Sequence, residues 1–521
     1  MPPLNRVLLL TGRMAYGNLS KIKAEFPNVD IEALPISVAA FTTPKLIRRH
    51  VPKAIVKWRP ELILVSGLAR GNYDTVGREL GVPILKGTRN LSALPLLLRK
   101  LEVFAPKLSP TASADNIMRD HQIKFLQERI NELEKEVEFG TRNFRLRSKL
   151  SIGIDLPPRV MAEIVDATHR SVDDGLSKAR RFSKWADILD VGGVVDKPDP
   201  EKVAEIVVEI RKLGLPVSVD TLNPEEIIAG VDAGAEIVLS VDRGNVAVIQ
   251  RLPEDTALVC LPTNVSKGVF PRNPVERAKI CHELSTELQH KGYEKLLADP
   301  LLEAPIQPGL MQSLAAFLSC RELSPNLPFL AGFGNVTEFI DADTSGINAL
   351  LACLGTELGI SVFLSTEERA ATIHCIRELH SAANMAFVAK IAESAPKDVG
   401  FTSFAAKSSR FDVQPVREVE SFQFVSENDP KTQLDPKGCF KIGIDHQNGR
   451  ILCEHRFQGK RTSILASDKA NALLQKILAK GLVSRLDHAA YVGSELTKAE
   501  ISLILGHNYQ QDMPWDTAQD G

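Results

Sequence analysis

Three aspartates stand at the ends of short apolar runs: Asp190 in ILDVGG, Asp220 in PVSVDT and Asp299 in LLADP. Each run is strand-like, so each carboxylate falls where a strand stops and a turn begins. A carboxylate there has two ordinary uses. It can cap the following helix by accepting backbone N–H bonds. Several around one mouth can instead grip a ligand rich in N–H donors, such as a guanidine-like heterocycle, through paired charge-assisted bonds. One such aspartate reads as a cap; three on one scaffold read as a site. Other polar residues fall at comparable places: Glu163, Asp166 and His169, then Ser240 with Asp242 and Arg243, then Asn264 and Lys267, and later Asn335. His374 and His380 are six apart, the wrong interval for two metal ligands on one helical face, and no metal centre is assigned.

These residues need a frame. Eight apolar runs follow one another: Arg159–Val165, Asp187–Val191, Pro216–Asp220, Glu236–Ser240, Ala257–Leu261, Lys295–Asp299, Pro328–Gly332 and Ile360–Leu364. Helical patterns fit between them at 169–184, 199–213, 224–232, 245–251, 274–291, 308–321, 345–357 and 367–386. Eight strand–helix units in about 235 residues match a (β/α)8 barrel, whose chemistry sits at the C-terminal ends of its strands. An open doubly wound sheet is the competing arrangement, disfavoured by the unbroken series.

The predicted architecture is therefore α/β: a central (β/α)8 TIM barrel over 150–386, a small N-terminal α/β domain over 1–112, and a C-terminal α+β domain over 387–521. In the first domain, Val7–Thr11, Leu62–Ser66 and Pro83–Leu85 read as parallel strands, with a helix over Thr43–Trp58. Their Gly-containing ends (Gly12-Arg13, Gly67 to Gly71, Lys86-Gly87) suit either phosphate binding or simple tight turns. Residues 113–149 read as a linker and a long amphipathic helix, Asp115–Phe139. Its stripe of Ile123, Leu126, Ile130, Leu133 and Val137 suits either a homodimer seam or packing on the chain's own next domain. In the last domain, FDVQPVREVESFQFVSE and FKIGIDHQNGRILCEHR alternate, Asn448-Gly449 marks a hairpin, and helices are expected over Lys469–Ala479 and Leu486–Leu505. The tail DMPWDTAQDG reads as frayed.

Composition narrows the partners. Of 521 residues, 44% are hydrophobic and 25% charged, with 63 basic against 65 acidic side chains, a net charge of −2. That balance speaks against nucleic acid, which calls for a basic surface. No apolar run approaches a membrane span. Seven cysteines without a paired spacing suit reduced thiols and a cytoplasmic location.

In order, ILDVGG, PVSVDT, the apolar strand after AGAE, and ADP (Ala298–Pro300) resemble the pterin-binding barrel, the superfamily of dihydropteroate synthase and the corrinoid-linked pterin methyltransferases. TGRMAYG, DLPPRVMAEIVDA, LPTN, GFGNVTEF and DHAAYVGSEL extend the resemblance over all three regions, toward dihydropteroate synthase-related proteins of tetrahydromethanopterin biosynthesis. The resemblance implies that Asp220 and Asp299 grip a reduced pterin, with Ser240 and Asn335 beside them. Asp190 would lie near the reacting end, with Asp190 and Asp220 serving catalysis. The implied reaction joins a hydroxymethyl-dihydropterin diphosphate to an arylamine and releases diphosphate, with Mg2+ neutralising charge. Departures are visible too. Leu239-Ser240 replaces the synthases' Asn-Asp, Phe333-Gly334-Asn335 replaces their Ser-Arg-Lys, Glu163 replaces an Asn, and the strand-eight Arg-x-His is lost. Diphosphate would then need other cations, and Arg159, Arg243, Lys267 and Arg272 are candidates by position. Asn335 resembles the Asn of the pterin methyltransferases, so one-carbon transfer is an alternative, as is a non-catalytic pterin-binding role.

Overall fold

The computed structural model describes residues 6–194, 196–397, 399, 401 and 434–513, which fall into two compact units. The first holds an N-terminal sheet and the barrel; the second holds a C-terminal sheet. The stretch FDVQPVREVESFQFVSE and the tail beyond 513 lie outside the described residues.

Strands β1 (Val7–Thr11), β2 (Val29–Ala33), β3 (Leu62–Val65) and β4 (Ile84–Lys86) form a parallel sheet in the order β2-β1-β3-β4. Helices cover both faces. Tyr16–Ala24 and Leu94–Arg99 pack on one, Pro44–Trp58 and Asp74–Leu80 on the other. β1 and β3, buried on both sides, read as unbroken apolar runs. β2 is an edge strand, VDIEA, that buries only Val29 and Ile31. Its two acids hid it in the sequence. A long helix, Asp115–Glu136, follows. The side chains of Ile123 and Leu126 on its expected stripe lie outside the described residues, while Ile130 and Leu133 are half-buried.

Strands β5 (Asn143–Arg145) and β6 (Ser151–Gly153) then pair as an antiparallel hairpin. The barrel comprises β7 (Arg159–Ile164), β8 (Ile188–Gly192), β9 (Val217–Asp220), β10 (Ile237–Val241), β11 (Ala257–Cys260), β12 (Leu296–Ala298), β13 (Phe329–Gly332) and β14 (Ile360–Ser365). All pairings are parallel, and β14 pairs with β7 to close the ring. Alternate residues divide between two cores. Val160, Leu189, Val219 and Val238 face the surrounding helices. Met161, Ile188, Ile237, Val259, Leu297, Leu330 and Val362 fill the interior, and Phe144, Leu146 and Ile152 of the β5–β6 hairpin join them. Ile188, Ile237 and Ala257 are the first residues of their strands, so the hairpin closes the N-terminal end of the barrel.

Two helices differ from expectation. Over 245–251 there is only a short 3-10 turn, Val248–Arg251. The last barrel helix begins at Cys375, not 367, because the chain passes through the turn Ala370–Thr372 and a left-handed His374 (φ +73°) first. In the second unit β15 (Cys439–Asp445), β16 (Arg450–Phe457) and β17 (Lys460–Ser467) form an antiparallel sheet. Gly449, at φ +62°, sits in the β15–β16 hairpin. Helices Ala470–Ala479 and Leu486–Leu505 cover one face of this sheet.

Candidate functional site

The interior parity of the strands carries directly to their ends. Two residues beyond Met161, Ile188, Ser218 and Leu297 lie Glu163, Asp190, Asp220 and Asp299, so all four acids belong to the inward-facing set. Register fixes their neighbours: Glu163 pairs with Asp190, Asp190 with Ser218, and Asp220 with Gly192 and Leu239. One carboxylate oxygen each of Glu163, Asp190 and Asp220 lies within 4.8 Å of the others. The Gly192-Gly193 pair makes room for this. A Cβ at Gly192 would stand 2.9 Å from a Glu163 carboxylate oxygen.

Helix capping is done by other residues. Ser171, Asp199, Asn223 and Asn273 accept the first N–H groups of the helices that follow β7, β8, β9 and β11. Asp190 is wholly buried. It accepts a hydrogen bond from the Ser218 hydroxyl, and its Oδ2 has no partner. Burial, then the charges of Asp220 and Glu163, hold its pKa well above the ordinary carboxyl range. Burial also raises Asp220, against the stabilising hydrogen bond from Ser240 Oγ (2.7 Å). Asp299 is pushed up to about 7 by burial; the Leu301 N–H bond (2.8 Å) and the Arg277 charge oppose the shift, and Asp220 adds to it.

Ser240 reaches Asp220 through a local distortion. The β10–β11 register shifts between Val238 and Val241, and Ser240 adopts φ +73°. Such a bulge re-aims a side chain at the cost of backbone strain. Asn245 stabilises it: its Nδ2 donates to the Ser240 carbonyl (2.8 Å), and its Oδ1 accepts from the Asp242 N–H (2.9 Å). Asp242 in turn accepts from Gly244 N (2.6 Å), Thr263 Oγ1 (3.0 Å) and Val265 N (2.8 Å), tying the loops after β10 and β11. Buried Glu226 likewise ties the loop after β8, accepting from Asp199 N (2.8 Å) and Thr221 Oγ1 (2.5 Å).

The remaining sequence candidates are more scattered. Asn335 is exposed beyond β13, where its Nδ2 donates to the Leu302 carbonyl (2.9 Å). Asp166 and His169 are exposed beyond β7, and Lys267 and Arg272 are exposed on the loop after β11. Asn264 accepts from Ser266 Oγ (2.9 Å) within that loop. Arg243 turns to the helix Pro274–His290, where it pairs with Glu287 and Glu283. Arg159 starts β7, so it lies at the opposite end of the barrel, bonded to the Ser151 carbonyl (2.8 Å) and to Glu134. As an anion ligand at the mouth it is a misreading, since strand position alone set its height. The buried cation near the acids is Arg277, which the sequence hid inside a helix. It donates to the Pro271 carbonyl (2.7 Å) and Glu303 (2.6 Å), joining the loops after β11 and β12.

The arrangement thus offers inward acceptors whose burial raises their proton affinity, Asp299 to about 7. Residues 163–349 match the family described as pterin binding enzyme. Residues 5–89 match a family of unknown function, DUF6513, and residues 434–512 match PterinBD-DUF4346. The uncharacterized protein MJ0107 of Methanocaldococcus jannaschii is 34% identical over 526 residues, spanning 98% of this chain and 99% of its own length. The chain belongs to the family of that archaeal protein. Solved structures similar to this chain include a Burkholderia cenocepacia dihydropteroate synthase complexed with 7,8-dihydropteroate, at 16% identity and TM-score 0.38, covering 49% of this chain and 99% of that one. A Xanthomonas albilineans dihydropteroate synthase in complex with 7,8-dihydropteroate is similar at 22% identity and TM-score 0.34, covering 44% and 93%.

Proposed function

We propose that this protein binds a reduced pterin at the barrel mouth and joins its hydroxymethyl diphosphate ester to an arylamine, as a step in making a tetrahydromethanopterin-type cofactor. The observation that carries the reading is the inward set of Asp190, Asp220 and Asp299 beside Glu163, in a segment matching pterin-binding enzymes. Asp220 and Asp299 accept the paired N–H donors of the ring, with Ser240 fixing Asp220. Asp190 stands deeper, and its unpartnered Oδ2 is the acceptor that a ligand N–H or a proton would satisfy. In the reaction the pterin methylene–oxygen bond breaks, diphosphate leaves with the electron pair, the amine nitrogen forms the new bond, and one amine proton is released. The chain's contribution is to place the amine in line and to keep a proton acceptor near it.

The cluster of Glu163, Asp190 and Asp220 fits Mg2+ by its all-oxygen donors and by the orphaned Asp190 oxygen. When bound, the ion would neutralise charge on the departing diphosphate. That contribution matters more here because Arg243, a candidate for the anion, is engaged by Glu287.

A second reading, transfer of a one-carbon group on a pterin, is favoured by Asn335 at the end of β13. Turnover separates the two. The protein mixed with Mg2+, the pterin diphosphate and a ribosylated arylamine should release diphosphate only when both substrates are present, and Asp220→Asn should abolish release. Pterin binding without release would remove the synthase reading and leave methyl transfer or a carrier role.

A further inference from the structure

The N-terminal sheet encloses a cavity that none of the barrel acids lines. Strand order in this sheet reverses between β1 and β3. After β1 the chain forms the helix Tyr16–Ala24 on one face, and after β3 it forms Asp74–Leu80 on the other. Two strand-end loops that part in this way leave a crevice at the carboxyl ends of the strands, the usual ligand position in open parallel sheets. The cavity, of about 230 Å3, occupies that place. Buried Leu10, Leu64 and Leu94 line its inner part, and exposed Met14, Val38 and Leu68 line its outer part.

The walls are preformed. A Cβ at Gly12 would stand 2.6 Å from the Ser37 carbonyl oxygen, and one at Gly67 would stand 2.6 Å from that of Gly87, so these glycines let neighbouring loops touch. Backbone bonds lock the contacts: Arg13 N to Ile36 O (2.9 Å), Met14 N to Ser37 O (3.1 Å) and Gly67 N to Thr88 O (2.9 Å). The polar groups of the lining are largely spent on the chain itself. Those three N–H groups are used, which leaves no phosphate cradle built from them. The Thr11 and Thr88 hydroxyls donate to the carbonyls of Gly12 (3.2 Å) and Asn90 (2.7 Å), and Ser66 Oγ accepts the Leu68 N–H (3.3 Å). Arg89 is the one charged residue among the described lining residues; its backbone N–H donates to Asp115 (3.0 Å), and a ring among the leucines calls on nothing from its side chain. At the rim Met14 is 77% exposed and Leu68 47%, an apolar collar that a bound apolar body would cover.

We propose that this crevice binds a small uncharged aromatic molecule, of one ring or two fused rings, seated among the leucines. Volume sets the size. A cavity of about 150 Å3 holds benzene, whereas pockets for larger ligands start at about 300 Å3. The leucine lining sets the charge, because an ion placed there loses its hydration without a partner on the apolar wall. The spent hydroxyls and N–H groups set the polarity, since they return few of the bonds that a sugar or a nucleotide would surrender.

The test uses the full chain and fluorine NMR with three probes of one shape: neutral 4-fluorophenol, anionic 4-fluorobenzoate and cationic 4-fluorobenzylammonium. A ligand of about eight non-hydrogen atoms is expected to bind with a Kd near the millimolar range. The phenol line should broaden on addition of the protein, and both ions should bind at least tenfold more weakly. Ala40→Phe, which adds a ring to the cavity wall, should weaken the phenol at least tenfold. Should that variant not melt like the parent, Leu68→Glu at the exposed rim serves in its place, with the same expected loss. Asp220→Asn should leave phenol binding unchanged, which separates this site from any arylamine site in the barrel. Phenol binding that persists in the wall variant, disappears in Asp220→Asn, or is absent altogether would overturn the proposal. Either ion binding as tightly as the phenol would overturn the uncharged class.

Discussion

Asp190 is packed without access to water, with one hydroxyl donor and two acids for neighbours. A folded-state pKa raised in this way favours the native state while the group is protonated, and the advantage is lost as the pH rises through the raised value. Asp299 sets the window, since it rises from the ordinary carboxyl value to about 7. Stability should therefore fall between about pH 4 and pH 7 by an amount on the order of a few kcal/mol, then level off. Thermal melts of the wild type and Asp299→Asn from pH 5 to 8 check this: the variant's advantage should grow with pH. Asp190→Asn should likewise melt higher at pH 8 while losing turnover, the usual exchange between stability and a charged site. Pterin binding should run the opposite way, strengthening up to tenfold per unit as pH rises toward 7, because the ring's N–H groups need the ionised acceptor. The aspartates were legible in the sequence because each is a polar residue ending an apolar run. Arg277, Glu226 and Asn245 were not. Each owes its burial or its bonds to loops from other strands, and nothing local distinguishes Arg277 from a solvated helix charge.

At the scale of elements, the strand β10 does more than carry Ser240. Its bulge turns a position of the wrong parity toward Asp220, and Asn245 keeps it there. Asn245→Ala should cost about 1–2 kcal/mol in urea unfolding, from the lost bonds to Ser240 and Asp242. It should also weaken pterin binding about as much as Ser240→Ala, whereas Ser240→Gly, at ease at φ +73°, should be the milder change in stability. The eight barrel strands were legible because both of their faces are apolar until the last residue or two. The helix over 367–386 was misplaced because its pattern continues across residues that the backbone bends away at His374. β17, KRTSILAS, escaped notice for the reason β2 did: an edge strand with one wet face carries too few apolar residues to announce itself.

At the scale of the whole molecule, the β5–β6 hairpin is the piece the sequence did not disclose, since three-residue strands leave no period to read. Phe144, Leu146 and Ile152 nevertheless share a core with six or more barrel strands. Phe144→Ala should destabilise the first unit by about 3–5 kcal/mol, read as a lower urea midpoint, with the second unit's transition unmoved. The packed interior also has a kinetic consequence. Because side chains fill the barrel below the acids, the mouth is the one doorway to them, so whatever reaches the deepest acids must arrive before, and depart after, anything that sits above it. Under the proposed reaction the pterin enters first and the amine follows. The condensed product, still holding the floor of the site, bars the next pterin until it goes. Initial-rate measurements should then show the product competing with the pterin but not with the amine. Amine supplied in great excess should slow the enzyme by queueing ahead of its partner.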